Sequence, residues 1–150
     1  MASAYRTKRK KIVDAYVGQL KGINGQSPYN SNLFNEVHGN TLFLDQISQF
    51  PSVCVVAGDE TREYLPDGLK WRYLNLEIRV YVSDEEDPQE ELALLLEDIE
   101  RVIDNNDVLT YDNSVSPKLK TTSSTILTIM TDEGVLSPLG IGEISIQVRY

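Results

Sequence analysis

The chain has 150 residues, near the usual size of one domain, and its 41% hydrophobic and 25% charged content is that of a globular protein, which excludes a disordered one. The net charge of −9 argues against nucleic-acid binding by the folded body, because its acidic field repels phosphate. No apolar run approaches the ~20 residues that cross a bilayer, the first residues lack the apolar stretch of a signal peptide, and the lone Cys54 excludes an intramolecular disulfide. The expectation is a protein that stays in the compartment where it is made and touches no membrane.

The charge is unevenly placed. Arg6, Lys8, Arg9, Lys10 and Lys11 fall within the first eleven positions, which hold no acid, and all 23 acidic residues lie beyond them. A helix is predicted from Thr7 to Leu20, with Ile12, Val13, Tyr16, Val17 and Leu20 forming an apolar stripe and Gly22, Asn24 and Gly25 stopping it. Its basic first turn opposes the helix dipole by a few tenths of a kcal/mol per charge. The basic run reads either as a solvated helix end or as an electrostatic contact with the acidic run Asp84, Glu85, Glu86 and Asp87 of a neighbouring copy.

Residues 24–40, rich in Asn, Ser, Gly and Pro, read as a long loop anchored by Leu33, Phe34 and Val37. The sole histidine, His38, lies there without ligand spacing and reads as a surface residue. Leu42, Phe43, Leu44 and Ile47 suggest one helical turn before Phe50-Pro51. Val53 to Ala57 suits a short buried strand, and Cys54 within it a buried, inert thiol. Thr61–Leu65, the turn Pro66-Asp67-Gly68 and Leu69–Trp71 read as a hairpin, with proline and glycine supplying the turn dihedrals. The next strand is the clearest: Leu74, Leu76, Ile78, Val80 and Val82 alternate with Asn75, Glu77, Arg79, Tyr81 and Ser83, so one face is dry and the other wet or in contact with a partner. Trp71, Tyr64, Tyr73 and Tyr81 cluster around these elements. The tip, with Tyr64, Leu65 and Leu69, is apolar for an exposed turn and suits an intersubunit arm.

A second helix opens at Asp87 as cap, Pro88 at the first position and Glu90 three residues after the cap. Leu92, Leu95, Leu96, Ile99, Val102 and Ile103 give it an apolar face, and Asn105-Asn106 end it. After a polar stretch at 112–124 come two strands, Ile126 to Met130 and Glu143 to Tyr150, joined as antiparallel partners by residues 132–142. The expected fold is α+β, an antiparallel sheet with a long hairpin packed against two main helices on one face, in a single domain spanning residues 1–150.

The sequence holds no GxGxxG, no phosphate-binding GxxxxGK(S/T), no HExxH and no GxSxG. One Cys and one His fall short of a structural zinc site. The acidic cluster Asp84 to Asp87, continued by Glu90 and Glu91, lacks the glycine-turned calcium-loop pattern. It reads first as helix capping, then as a cation site or as a docking surface for a basic partner. No catalytic residue, metal ligand or cofactor is therefore assigned. A metal-dependent or acid–base enzyme built on the acidic cluster is the rival from another class; a module that recognises a basic peptide is a third.

Three runs, in order, carry a resemblance. They are Phe50-Pro51-Ser52-Val53-Cys54-Val55-Val56-Ala57-Gly58-Asp59-Glu60, then the hairpin ending in Asn75-Leu76-Glu77-Ile78-Arg79-Val80-Tyr81-Val82, and the terminal Gly140-Ile141-Gly142-Glu143-Ile144-Ser145-Ile146-Gln147-Val148-Arg149-Tyr150. With the acidic-capped helix between them, they resemble the tail terminator (tail completion) proteins of long-tailed bacteriophages. The resemblance implies a virion protein assembled in the host cytoplasm and placed at the head-proximal end of the tail. It implies a ring, usually of six subunits, that caps the tail tube, stops its growth and meets the head or connector while DNA passes through the hole. Another head-to-tail connector or neck component is the nearest alternative. An acidic ring agrees with DNA that slides through without sticking.

Overall fold

The structure, a computed structural model, describes residues 7–150. Among these residues the chain forms helices α1 (Lys8–Leu20) and α2 (Pro88–Asn105). The strands are β1 (Val37–His38), β2 (Ser52–Tyr64), β3 (Lys70–Ser83), β4 (Thr110–Asp112), β5 (Leu119–Lys120), β6 (Ser123–Thr131) and β7 (Leu139–Arg149). A five-stranded sheet runs in the order β1-β2-β3-β7-β6, and β4 and β5 form a separate ribbon that runs into the stretch expected to be merely polar. The fold is α+β as expected, but the sheet is mixed: β1 pairs in parallel with β2, Val37 opposite Val53 and His38 opposite Cys54. Two ladder residues within a loop leave no periodic signal to read.

Each helix starts where its cap dictates. The Thr7 hydroxyl accepts from Lys10 N at 3.2 Å, and the Asp87 carboxylate accepts from Glu90 N at 3.1 Å, with Pro88 in the first turn. Ile12, Val13, Tyr16 and Leu20 of α1 are buried, as are Leu92, Leu95, Leu96, Ile99, Val102 and Ile103 of α2. They meet Val53 and Val55 of β2, the row Leu74, Leu76, Ile78, Val80 and Val82 of β3, and Ile144, Ile146 and Val148 of β7 in one apolar cluster. Each fully buried Leu or Ile contributes roughly 1.5–3 kcal/mol. Tyr16 reaches through this layer to hydrogen-bond the Ser124 hydroxyl, and burial pushes its phenol up to about 12.

The hairpin is longer than its apolar pattern suggests. The strand expected at Val53–Ala57 and the arm expected from Thr61 are one strand, β2, and the arm's return runs unbroken into the alternating strand as β3. A bulge between Ala57 and Glu60 shifts the register there. Gly58 and Asp59 sit in it exposed, so the buried pattern lapses while the backbone pairing continues.

Gly140 and Gly142 let α2 lie close against β7. A Cβ at Gly140 would stand 2.8 Å from Val82 Cγ2 and 3.2 Å from the Pro88 carbonyl oxygen; one at Gly142 would stand 3.1 Å from Leu92 Cδ1. Gly140→Ala is therefore expected to cost about 1–3 kcal/mol by overpacking. Ile99→Ala, at a fully buried site, is expected to cost about 2–5 kcal/mol. Urea titration checks both: the unfolding free energies extrapolated to water fall by those amounts, the midpoints drop in proportion and the slopes stay unchanged.

Candidate functional site

The end of the β2–β3 hairpin projects beyond the rest of the sheet. β1 reaches only as far as Cys54, while β7 pairs with β3 up to Tyr73 and continues through backbone bonds between Arg72 and Tyr150. Past those points only two ladder pairs and the turn remain, Glu63 opposite Trp71 and Tyr64 opposite Lys70, with no third strand beside them. The turn closes through Leu65 N donating to Leu69 O at 2.8 Å. Gly68 has the expected positive φ of 76°, and Asp67 shares it at 67°, a region that a short polar side chain tolerates. At the tip Tyr64 is 72% and Leu69 63% exposed, with Leu65 half-buried.

Trp71 does not belong to the tip. Its ring lies under the Arg149 guanidinium, 4.2 Å from carbon to centroid, and so braces the base of the arm on one face. On the other face Arg72 lies 5.6 Å over the Tyr150 ring, Tyr111 meets that ring edge-on at 6.1 Å, and the Tyr150 hydroxyl donates to the Glu60 carboxylate. Burial, then the neighbouring Glu60 carboxylate, pushes the Tyr150 phenol up to about 12. Tyr73 donates to Glu63 at 3.0 Å further out. Arg149, Tyr150, Arg72 and Glu60 were not singled out from sequence.

The basic run finds partners within its own chain. The Arg9 guanidinium donates to Gly58 O at 2.6 Å, Lys10 Nζ lies 3.3 Å from the Asp14 carboxylate and 3.4 Å from Gly39 O, and Lys11 Nζ lies 2.7 Å from Asp112 Oδ2. Lys8 is exposed in the first turn of α1, and Arg6 lies outside the described residues. Within one copy the described part of the basic run and Asp84 to Asp87 do not meet; the contact expected from sequence is one between copies. Asp84 Oδ1 accepts from Glu86 N at 2.8 Å and Asp87 caps α2, while Glu85 and Glu86 are exposed. Among the described residues no three His, Cys, Asp or Glu side chains gather closely enough to hold a metal ion. Cys54 is buried, and burial pushes its thiol up, which suits the inert role expected.

The sheet face away from the helices is polar. Arg79 bridges Glu77 at 3.7 Å and Glu143 at 3.4 Å, and the hydrogen bond between those two carboxyls holds Glu77 above its ordinary value. The 39–51 segment covers one end of this face, where the Tyr81 hydroxyl donates to Leu42 O at 2.8 Å. At the sheet's far edge β6 exposes Leu127, Ile129 and Met130. The sequence marked Ile126 to Met130 as a strand without indicating which of its faces is covered.

Asp98 is the other residue that sequence reasoning missed. It is fully buried on α2 and accepts from Asn30 N at 3.0 Å and from Ser31 N at 2.7 Å, which ties the 24–40 loop to the helix. The available signal was a carboxylate between Leu95 and Val102 on an otherwise apolar stripe. Asp98→Ala is expected to cost about 3 kcal/mol, because two loop amides lose a charged acceptor, and to speed amide exchange at Asn30 and Ser31. The Lys11 ammonium, then the Ser114 hydroxyl and amide, lower the Asp112 carboxyl from 3.8 to about 2. A depressed carboxyl stabilises the fold above its unfolded value and loses that contribution as pH falls through the folded one. The stability gap between wild type and Asp112→Asn is expected to hold from neutral pH to about 5 and to close between about pH 4 and 2 in thermal melts.

Residues 6–150 match the family described as Bacteriophage Tail Tube Terminator Protein. The chain is 38% identical over 149 residues to the tail tube terminator protein p142 of Escherichia phage T5, an alignment covering 95% of this chain and 92% of that one. Its fold is similar to a chain in the solved structure of the virion of a native gene transfer agent particle, at TM-score 0.56 and 11% identity over 92% of each chain.

Proposed function

The chain belongs to the bacteriophage tail tube terminator family, and from that premise we propose that it caps the head-proximal end of the completed tail tube as a homo-oligomeric ring, most simply of six copies. In this role it stops further addition of tube subunits and offers its opposite surface to the head or connector protein. The work is done by surfaces and not by catalysis. DNA passes through the lumen without specific binding, which the net charge of −9 per copy favours by repulsion of phosphate.

The observation that carries this reading is the braced arm. An apolar tip held away from the body by Trp71, Arg149, Arg72 and Tyr150 gains nothing in an isolated copy, and large exposed apolar groups at rigid positions mark protein–protein contacts. Tyr64, Leu65 and Leu69 are assigned to that contact. The acidic run Asp84 to Asp87, with its exposed Glu85 and Glu86, is assigned to the rim facing a virion partner.

Two experiments test the proposal. Phage lacking the gene is expected to produce tails of uncontrolled length without heads, read by negative-stain microscopy; tails of normal length joined to heads would rule out the capping role. Leu65→Asp and Leu69→Asp are expected to abolish ring assembly with an unchanged melting temperature, because a charge is costly to desolvate in a packed apolar contact. Normal rings from both variants would remove the arm from the contact.

A further inference from the structure

We propose that β6 is the edge that receives the hairpin arm of a second copy of this chain, an inference that rests on the ring reading and names its contact. β6 is hydrogen-bonded on one side only, to β7. Its nine residues, Ser123 to Thr131, include no ionisable side chain and no proline. Soluble proteins normally blunt an edge of this length with lysine, proline or a covering element. Here the edge instead carries apolar groups: a bulge between Ile126 and Thr128 leaves Leu127 50% exposed, Met130 is 62% exposed, and Val135 in the following turn is 82% exposed.

Charge selects the occupant. Copies of an acidic chain repel one another over most of their surface, and this neutral edge lets a second copy approach without setting like charges opposite each other. The arm fits the edge chemically. Beyond Cys54 the outer side of β2 carries no partner strand among the described residues, so its backbone can extend a ladder, and its apolar tip can cover Leu127 and Met130. Geometry then sets the symmetry. In the order β1-β2-β3-β7-β6 the donor strand and the acceptor strand lie on opposite sides of one sheet. An arm cannot reach β6 of its own copy, and the contact joins two different surfaces. Repeated head to tail, such a heterologous contact makes a ring when the rotation between copies closes, as the ring reading requires.

The test uses three variants that each damage one side. Leu127→Glu with Met130→Glu removes the acceptor, and Leu65→Asp with Leu69→Asp removes the donor; Thr128→Lys, at an exposed position, is a second acceptor variant. Circular dichroism and thermal melting verify folding, and sedimentation reads the mass. Each variant alone is expected to stay monomeric, while a 1:1 mixture of acceptor and donor variants forms a dimer that does not grow, because one intact interface remains. If the wild type forms rings but the mixture stays monomeric, or if either acceptor variant assembles normally, the β6 contact is overturned and the ring reading stands. A dimer of the donor variant alone would assign β6 to a symmetric edge-to-edge pairing and overturn the arm as its occupant. Where the wild type assembles only on tails, complementation of phage lacking the gene reads the same variants. Tails without a terminal ring are then expected from the acceptor variants, and a normal ring overturns the contact. A wild-type protein that forms no ring in solution or on tails overturns the ring reading and this contact with it.

Discussion

The structure depends on how closely α2 lies across β3 and β7. Gly140 and Gly142 remove the side chains that would hold the helix off the sheet, and Leu92 and Leu96 occupy that space. This contact decides which face of β3 is dry, because the alternation of β3 allows one apolar row only. Once Leu74, Leu76, Ile78, Val80 and Val82 point at the helices, Asn75, Glu77 and Arg79 must point the other way. The polar, helix-free face of the sheet follows from the dry one.

The same alternation carries the arm outward. Pairing between β2 and β3 continues after the apolar rows have ended, so the hairpin leaves the core as a ladder with no layer beneath it. A free two-stranded ribbon is marginal in water. Here the guanidinium groups of Arg149 and Arg72, set on the rings of Trp71 and Tyr150, replace the missing layer at the arm's base. Stiffness in such an element lowers the entropy lost on docking, which suits the contact proposed for its tip.

Electrostatics divide the surface further. The basic start of α1 is drawn onto Gly58, Gly39 and Asp112 of its own chain, and the acidic start of α2 caps its own helix. Arg9, Lys10, Lys11, Asp84 and Asp87 thus have local partners, and the edge β6 carries no charge of its own. In so acidic a chain, where charge is missing is as informative as where it is placed.

By itself the sequence determined what local physics controls. The two helices with their caps, the turn at Pro66-Asp67-Gly68, the dry row of β3 and the α+β class were all legible, since each depends on residues a few positions apart. The order of three short runs was also enough for the tail terminator resemblance, which the family match over residues 6–150 bears out. Only the tertiary structure decided that β2 and β3 form one unbroken hairpin, that Asp98 anchors a loop 67 residues away in sequence, and that the apolar run of β6 faces outward. Period and propensity report which faces an element has, but not whether a neighbouring element covers them. That depends on contacts between residues far apart in the chain, as when Arg149 comes to rest on Trp71.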